Sequence, residues 1–472
     1  NELIAEISSR QSDALDWWIS SPAVRSTRAS NLFQNCMYVL LVRSFLSEQS
    51  EPCKVKVECD HLAHVLKTAF RDRVHIHKSI SLRGWGSRRA GLIKDVLSTL
   101  YFIFSSSMAA RLTRKYKRPI ERDDILIMRS YMFPGSIYNG ESTDSYFAKF
   151  FDCLDQEQRE KTYIMPLFVG VLNYVRLFLT LRTSSQNFLF IEDYLSFRDY
   201  LFSLGHWWRC GKISVDNARL DGILVTALVE ADLKRGRYTK SSVLSLLVYQ
   251  AWQGIQAGGL KVRRCITWYE GSNIDRAESL SLKRFCPQVD HVGYRGVIVE
   301  PTFLSLTPLI HEFRAGLIPT EMAVIGPVFE DALRSECPYL WITSSPAFRY
   351  DYLRDTGKVF GKKPTILLAL PIDPQISRYL ISVMKEIQDN QYGERVLFKV
   401  KCHPAMPRDR MTGQYNIEWP ATLEETTEAL PDVLPNIDLL ISTGSSTLVE
   451  AVTLGIPVLC MSSRNSYTQN PI

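Results

Sequence analysis

The sequence alternates between short apolar runs and longer segments in which apolar residues recur at roughly every third or fourth position. Short apolar runs that end at Gly, Ser or Pro are typical of buried parallel strands, and the longer segments are typical of amphipathic helices. This alternation predicts an α/β protein. The predicted strands are 54–59, 124–130, 163–168, 188–191, 262–269, 290–294, 322–325, 340–343, 365–370, 396–400, 438–442 and 456–460.

The length of the chain, 472 residues, exceeds what one ordinary core needs and fits two α/β domains. Pro and Gly residues cluster between 300 and 320, a composition typical of a domain boundary. We therefore predict an N-terminal Rossmann-like domain over 1–315, enlarged by helical insertions, and a C-terminal Rossmann-like domain over 316–472. We expect the two domains to face one cleft.

The stretch 438–460, DLLISTGSSTLVEAVTLGIPVLC, predicts a strand, a turn of small residues, a helix and a further strand. A helix N-terminus carries partial positive charge and unpaired N–H groups, so it favours anions. Ser445, Ser446 and Thr447 stand where this helix begins. They are candidates to hold an anion, and Glu450, farther along the helix, is a candidate to accept hydrogen bonds from sugar hydroxyls.

The segment 398–404, FKVKCHP, predicts a strand that brings Lys399, Lys401 and His403 to its carboxyl end. Ligands of open α/β sheets bind at that edge. Two lysines, a histidine and a pair of serines at one edge predict a site for a phosphate-bearing ligand. The alternative is a solvated lysine pair together with a serine that only caps a helix.

Composition and charge narrow the class of protein. Hydrophobic residues make up 46% and charged residues 22%, which is normal for a soluble globular protein, and the formal charge of +6 is modest. No nucleic-acid-binding motif is visible, so we predict no nucleic-acid partner. The 10 Cys are scattered without a CxxC pair and no signal peptide is visible, which predicts reduced thiols and a cytoplasmic protein.

The segment 92–118 is a long apolar stretch followed by a basic cluster. Its uninterrupted apolar part, 96–110, is too short to span a bilayer comfortably. An apolar helix with a basic end suits the surface of an anionic membrane, here the inner face of the plasma membrane. The alternative is a core helix with a solvated basic end.

Several short motifs carry a resemblance to a known family. They are His403-Pro404 after a strand, Ser445-Ser446-Thr447 at a helix start, WYEGSNIDRA, HVGYRGVIVEPTFLSL and MAVIGPVFEDAL. In this order they resemble the GT-B glycosyltransferases that use CMP-activated nonulosonic or ulosonic acids. These include bacterial sialyltransferases, polysialyltransferases, capsule Kdo transferases and their pseudaminic and legionaminic acid relatives. The motifs also resemble a class of surface-carbohydrate biosynthesis proteins, and the likeness covers about 265 to the end.

The resemblance implies a CMP-sugar donor and a glycan acceptor, free or lipid-linked. His403 would contact the donor phosphate as hydrogen-bond donor or general acid, and Lys401 would add charge. Ser445 and Ser446 would hold the phosphate or the sugar carboxylate, and Glu450 the ribose. Three further residues are candidates to contact cytosine or phosphate: Gly326, Ser344 and Ser345. We expect them at the ends of earlier strands of the same sheet. The alternative is that they only form turns.

Glu270-Gly271 is the position that matches the general base of the related sialyltransferases, although those carry a doubled acidic pattern and this chain has one acidic residue. An acidic cap of the next helix is the alternative for Glu270. Asp275 is a reserve candidate for the base, and Arg276 is a candidate partner for a carboxylate. A donor with one phosphate needs no bridging cation, and the His residues of the N-terminal half lack ligand partners, so we predict no metal and no other cofactor.

The function that these expectations favour is transfer of a sialic, pseudaminic, legionaminic or Kdo residue from CMP onto a bacterial surface glycan. That glycan would belong to capsule, lipopolysaccharide or a glycoprotein. One alternative is a CDP-glycerol-type glycerophosphotransferase that uses the same His and Ser residues. Others are a non-catalytic polysaccharide-assembly component with the same fold and a nucleotide-sugar epimerase.

Overall fold

The computed structural model describes the chain except residues 12–13, 28, 79–81, 121–122, 134–136, 139–140, 143, 145, 172, 299–301, 355, 358–362, 390–394 and 463–469. It forms two compact units. The first unit comprises 1–296 and 303–346, and the second unit comprises 297–302 and 347–472.

The strands come in chain order as follows: β1 Cys53–Val57, β2 Val74–Lys78, β3 Ile125–Met132, β4 Ile137–Tyr138, β5 Glu141–Ser142, β6 Thr162–Phe168, β7 Arg219–Leu220, β8 Ile223–Leu224, β9 Val262–Trp268, β10 Asp290–Arg295, β11 Glu321–Val324, β12 Trp341–Ser344, β13 Thr365–Ala369, β14 Leu397–Lys401, β15 Glu424–Glu425, β16 Leu439–Ser442 and β17 Val458–Cys460.

The α-helices come in chain order as follows: α1 Glu2–Ser9, α2 Leu15–Trp18, α3 Ser21–Val24, α4 Leu32–Glu48, α5 Asp60–Phe70, α6 Leu82–Leu112, α7 Gln156–Glu160, α8 Tyr174–Thr183, α9 Phe197–Arg209, α10 Thr226–Gly236, α11 Lys240–Ala257, α12 Asn273–Phe285, α13 Ile310–Ala315, α14 Pro327–Glu336, α15 Pro374–Gln388, α16 Arg408–Tyr415, α17 Leu430–Val433 and α18 Ser446–Thr453.

The first unit is built on a six-stranded sheet with the order β12-β11-β10-β9-β3-β6. All neighbouring strands in it are parallel. From β3 the chain first adds β6 on one side and then adds β9 to β12 on the other. The sheet therefore has its topological switch point between β3 and β9, and a crevice opens at the carboxyl ends of the strands on either side of such a point.

The second unit is built on a five-stranded parallel sheet with the order β15-β14-β13-β16-β17. The chain grows from β13 outward to β15 and then returns to add β16, so the switch point lies between β13 and β16. Apolar residues of α15 pack on one face of this sheet and those of α18 on the other. At the switch point the Ser442 hydroxyl donates to the Ala369 carbonyl at 2.7 Å, which joins the two strand ends.

The predicted fold class is confirmed: both units are α/β, with parallel Rossmann-like sheets, and the first unit carries the helical insertions. The expected boundary between 315 and 316 differs from the observed division, which follows Pro346. Because β11 pairs with β10, and β12 with β11, both strands extend the first sheet. The Pro- and Gly-rich stretch is therefore mainly a connection within the first unit.

Two local predictions need correction. The strand predicted at 188–191 is wrong, because Phe188 makes one isolated bridge to Ile164 and a 3-10 helix follows at Ile191–Tyr194. Acidic residues in that short segment favour the turn over the strand. The strand β2 was not predicted, yet it pairs in parallel with β1 to form a separate two-stranded sheet.

An ion cluster holds the centre of the first unit together. Arg129 lies on β3, next to the switch point of the sheet; it is fully buried and pairs with Asp275 and with Glu278, whose Oε2 lies 2.6 Å from Nε. Arg129 also donates to the Trp268 carbonyl at 3.1 Å, and the Trp252 indole N–H donates to Glu278 at 3.2 Å. Burial raises the pKa of Glu278. The cluster thus joins β3, β9, α11 and α12.

Replacing Arg129 should unfold this cluster. Arg129→Met leaves two carboxyl groups buried without their cation, which we expect to destabilise the first unit by about 3–5 kcal/mol. Thermal and denaturant unfolding followed by circular dichroism measures the loss. The matched control is Arg263→Met on β9, whose side chain is 60% exposed and should cost about 0.5 kcal/mol or less. Equal stability of both variants would contradict the role of the cluster.

Candidate functional site

The switch point of the second unit leads into a loop of small residues and then into α18. Ser445 is the N-cap of this helix: its hydroxyl oxygen accepts hydrogen bonds from the Thr447 N–H at 3.3 Å and from the Thr447 hydroxyl at 2.9 Å. Ser446 is the first helical residue. The Ser445 hydroxyl therefore orders the helix start, and the start of α18 itself lies at the edge where ligands of such sheets bind.

A buried acid lies inside the first turns of the same helix. Glu450 is 5% exposed and accepts a hydrogen bond from the Tyr352 hydroxyl. Burial raises the pKa of Glu450, while Tyr352, Arg349 and Ser446 act against that shift. The pKa of Tyr352 is also raised, first by burial and then by the Glu450 charge. Glu450, the predicted acceptor of hydrogen bonds from the ribose, thus already accepts one from a side chain of its own unit.

Tyr352, the partner of Glu450, lies in the 3-10 helix Phe348–Arg354, for which no role was predicted from the sequence. Arg349 and Tyr352 of this segment interact with the Glu450 carboxyl group, and Tyr350 interacts with Glu450 and Ser446. A sequence signal was present, since two tyrosines and an arginine follow a Ser-Ser turn within a few residues.

The carboxyl end of β14 supplies the predicted basic residues. Phe398 and Val400 are buried, while Lys399 and Lys401 share the other, half-buried face of the strand. The Lys401 ammonium donates to the Glu428 carbonyl. Burial lowers the pKa of Lys401, and nearby carboxylates act against that shift. Lys401 therefore adds positive charge at this edge while being fixed by a backbone contact.

His403 is exposed and its ring is oriented by the chain that follows it. The Ala405 N–H donates to Nδ1 of His403 at 3.1 Å. A nitrogen that accepts a hydrogen bond carries no proton in neutral imidazole, so this contact assigns the proton to Nε2. The turn after Pro404 thus presents His403 as an Nε2–H donor, which suits contact with a phosphate oxygen.

The sheet order brings these candidates to one edge. β14 and β16 both flank β13, so their carboxyl ends lie roughly 10 Å apart at ordinary strand spacing. Lys401 and His403 stand at one of these ends, and Ser445 and Ser446 at the other. The predicted grouping of a histidine, a lysine and a serine pair at one carboxyl edge is therefore present in the second unit.

Three predicted donor contacts belong elsewhere. Gly326 follows β11, and Ser344 and Ser345 stand at the end of β12. Both are strands of the first sheet, so the expected place of these residues in the sheet of His403 is wrong. Gly326, at φ 118°, precedes α14. The Ser344 hydroxyl donates to Glu330, and the Ser345 hydroxyl donates to the Val324 carbonyl at 3.1 Å. These residues build turns of the first unit.

Glu270 lies at the switch point of the first unit, directly after β9. It is half-buried, and its carboxylate accepts from the Trp268 indole N–H at 2.8 Å. Its backbone N–H donates to Asp275 at 3.0 Å, and its carbonyl accepts from the Ser305 hydroxyl at 3.2 Å. Gly271 follows at φ 64°, where a Cβ would stand 1.8 Å from the Ser305 carbonyl oxygen. The loop that carries Glu270 is therefore tightly fixed.

The reserve candidates near Glu270 are structural. Asp275 is buried, pairs with Arg129 and accepts from the Ser272 N–H at 2.8 Å in the capping box of α12. Arg276 is buried and pairs with Glu312, which also pairs with Arg25 at 3.0 Å. Both side chains are committed to folding contacts. Among the described residues, no three His, Cys, Asp or Glu residues are grouped as a metal site would require.

Comparisons with known proteins add the following. No protein-family model matches the chain, and neither does any curated protein. A solved structure described as a UDP-N-acetylglucosamine 2-epimerase from Listeria monocytogenes is similar at 11% identity over 72% of this chain and 80% of that one, with a TM-score of 0.38. The solved structure of MurG from Acinetobacter baumannii is similar at 11% identity over 73% of this chain and 80% of that one, with a TM-score of 0.34. Similarity at this level assigns no activity.

The buried acid makes stability depend on pH. Because the folded-state pKa of Glu450 lies above its ordinary value of 4.5, the folded chain keeps a proton that the unfolded chain releases, so stability falls as pH rises above about 4.5. Glu450→Gln keeps an acceptor for Tyr352 without the charge. We expect its thermal midpoint to exceed that of the parent at pH 7 and to approach it near pH 4.

The control for this comparison is Glu418→Gln in the same unit, whose side chain is 85% exposed. It should follow the parent within about 0.5 kcal/mol across the pH range. A Glu450→Gln variant whose midpoint runs parallel to that of the parent at every pH would show that Glu450 carries no such proton.

Proposed function

We propose that the chain is a glycosyltransferase that binds a nucleotide-activated sugar at the carboxyl edge of the second sheet. The observation that carries the proposal is that the start of α18 and the His403 turn lie at the same carboxyl edge of the sheet, on either side of the end of β13. A helix N-terminus, an imidazole N–H and a lysine are donors and charges that suit a phosphate. Sheets of this kind bind ligands at the carboxyl edge beside the switch point, which is where these groups stand.

For the donor we propose a CMP-activated nonulosonic or ulosonic acid, and for the acceptor a bacterial surface glycan handled at the cytoplasmic face of the membrane. Support comes from the order of the short motifs around Glu270, His403 and Ser445. A single phosphate also fits the modest number of cations at the edge, where Lys399 and Lys401 stand beside His403.

The proposed reaction breaks the bond between the anomeric carbon of the sugar and the phosphate oxygen of CMP. The electron pair passes to that oxygen, and the acceptor hydroxyl forms the new bond to the anomeric carbon. Donors that are already in place stabilise the growing charge more effectively than donors that must reorient. His403 Nε2–H and the start of α18 would serve as these donors, because the Ala405 N–H and the Ser445 cap fix their orientation.

Glu270 is the proposed general base that takes the proton of the acceptor hydroxyl. Its support is its position after β9 at the switch point of the first sheet, together with a carboxylate that is half-buried and oriented by Trp268. A base needs a fixed position within hydrogen-bond reach of the hydroxyl. The contacts of its backbone to Asp275 and Ser305 supply that rigidity.

A nucleotide panel tests the donor. A bound ligand stabilises the folded protein by an amount that grows with the logarithm of the ratio of its concentration to its dissociation constant, about 2.7 kcal/mol at a hundredfold excess. We expect CMP to raise the thermal midpoint and UDP or GDP to leave it unchanged. The matched comparison is His403→Ala, which should reduce the CMP shift, against His64→Ala, an exposed histidine of the first unit that should not.

The panel also separates the alternatives. A shift with UDP or GDP and none with CMP would overturn the proposed donor. Turnover of CDP-glycerol without turnover of CMP-sugars would identify a glycerophosphotransferase instead. Nucleotide binding with unchanged biological function after loss of Glu270 and His403 would indicate a non-catalytic component.

Transfer assays test the reacting groups. General acid–base groups contribute typically 10²–10⁴-fold to rate, so Glu270→Gln and His403→Ala should each lower kcat by about that factor. Ser446→Ala should likewise abolish most transfer. Unfolding midpoints establish that each variant is folded, and His64→Ala serves as the active control. Near-normal kcat in either of the first two variants would remove that residue from the mechanism.

A further inference from the structure

The long helix α6 of the first unit has apolar side chains on two faces. One face packs into the core through residues such as Phe102, Ala109 and Ala110. The other face is exposed to solvent. At about 100° per residue, seven large apolar side chains fall within an arc of roughly 120°. We call them the α6 stripe: Ile93, Leu97, Leu100, Tyr101, Phe104, Met108 and Leu112.

The α6 stripe is exposed to an unusual degree for side chains of this kind. Ile93, Leu97, Phe104 and Leu112 are 59%, 61%, 64% and 58% exposed. The stripe runs from Ile93 to Leu112, which is about 29 Å of helix. Single exposed apolar residues are normal, whereas a continuous patch of this length marks a surface that binds something. No helix among the described residues has the length and apolarity to cross a membrane.

The stripe ends in a run of positive charge. The segment 111–118, RLTRKYKR, contains five basic residues and no acidic one. Arg111, Arg114, Lys115, Lys117 and Arg118 are all exposed in the structure. The Lys115 ammonium lies 5.1 Å from the centre of the Tyr116 ring, which is itself 42% exposed. An aromatic side chain among cations next to apolar residues is the composition found at membrane–water interfaces.

A pocket lies where this run ends. Lys117, Arg118 and Arg182 are among its lining residues, and Asp193 is its one acidic member. Arg182 pairs with Asp193 at 2.7 Å and its side chain is 2% exposed, and Lys117 pairs with the same carboxylate at 3.4 Å. Its Nε is buried and has no hydrogen-bond partner among the described residues. Three cations against one carboxylate, with one buried donor unused, suit the phosphate of a lipid headgroup.

We propose that the first unit docks on an anionic phospholipid membrane with α6 lying in the plane of the interface. The α6 stripe enters the boundary between headgroups and acyl chains, the 111–118 run contacts the anionic surface, and the Arg182 pocket takes one headgroup phosphate. Apolar burial and charge attraction act together in such binding. The proposal concerns where the protein works and is independent of which donor it uses.

Vesicle binding tests the proposal with the full chain. We expect co-sedimentation with phosphatidylglycerol vesicles, weak binding to phosphatidylcholine vesicles, and loss of binding as salt rises. Leu97→Ser/Phe104→Ser should weaken binding about tenfold or more. Lys117→Gln/Arg118→Gln should weaken binding to phosphatidylglycerol by about tenfold or more, since each basic residue near such a surface is worth about fivefold.

Matched controls come from comparable sites. Leu41→Ser/Phe45→Ser on α4 replaces side chains that are 64% and 48% exposed, and Arg408→Gln/Arg410→Gln removes the same charge from the second unit. Both should bind vesicles as the parent does. Equal binding to both lipids, or equal losses in test and control variants, would overturn the proposal.

Sedimentation without vesicles distinguishes a protein contact from a lipid contact. We expect the same oligomeric state for the parent and for Leu97→Ser/Phe104→Ser. If that variant instead abolishes a dimer of the parent, the α6 stripe is a contact between copies and the proposal is overturned. The thermal shift expected with CMP should persist in the α6 variant, which keeps this test separate from that of the donor.

Discussion

The buried charge of Arg129 constrains the positions of the strands and the helix around it in the first unit. A cation without solvent must be surrounded by acceptors, and here they are Asp275, Glu278 and the Trp268 carbonyl. These partners come from β9 and α12, so the strand, the helix and the loop between them have to keep their mutual positions. Asp275 also receives the N–H of Glu270. The position of the proposed base is therefore a consequence of satisfying a charge in the core.

Different interactions fix the switch point of the second unit. Neutral hydrogen bonds hold its switch point: the Ser442 hydroxyl donates to the Ala369 carbonyl, and the Ser445 hydroxyl accepts from the Thr447 N–H at the start of α18. Neutral hydrogen bonds of this kind contribute about 1 kcal/mol each, less than the cost of leaving a buried charge without its partner, which is about 3–5 kcal/mol. The difference suits a binding edge, since a ligand can exchange contacts there without disrupting the sheet. The raised pKa of Glu450 shows that its burial is incompletely compensated.

Much of this architecture could be predicted from the sequence because buried parallel strands are continuous apolar runs, which need no tertiary information to be recognised. The domain boundary could not be predicted in this way. A stretch rich in Pro and Gly, such as 300–320, is typical both of loops between strands of one sheet and of connections between domains. The role of Ser445 was also ambiguous: the same hydroxyl suits a cap and an anion site. The contact between Tyr352 and Glu450 joins residues 98 positions apart, and no local pattern encodes it.

The path of the chain between the units decides how the protein can be dissected. A fragment ending at 315 would lack β11 and β12 and leave β10 as a bare edge, with unpaired N–H and C=O groups available to other chains. A fragment beginning at 316 would carry those two strands without the sheet they complete. A recombinant piece starting at 347 keeps the whole five-stranded sheet, because all of its strands lie beyond that point. Crystallisation and labelling of isolated parts should therefore begin from that cut.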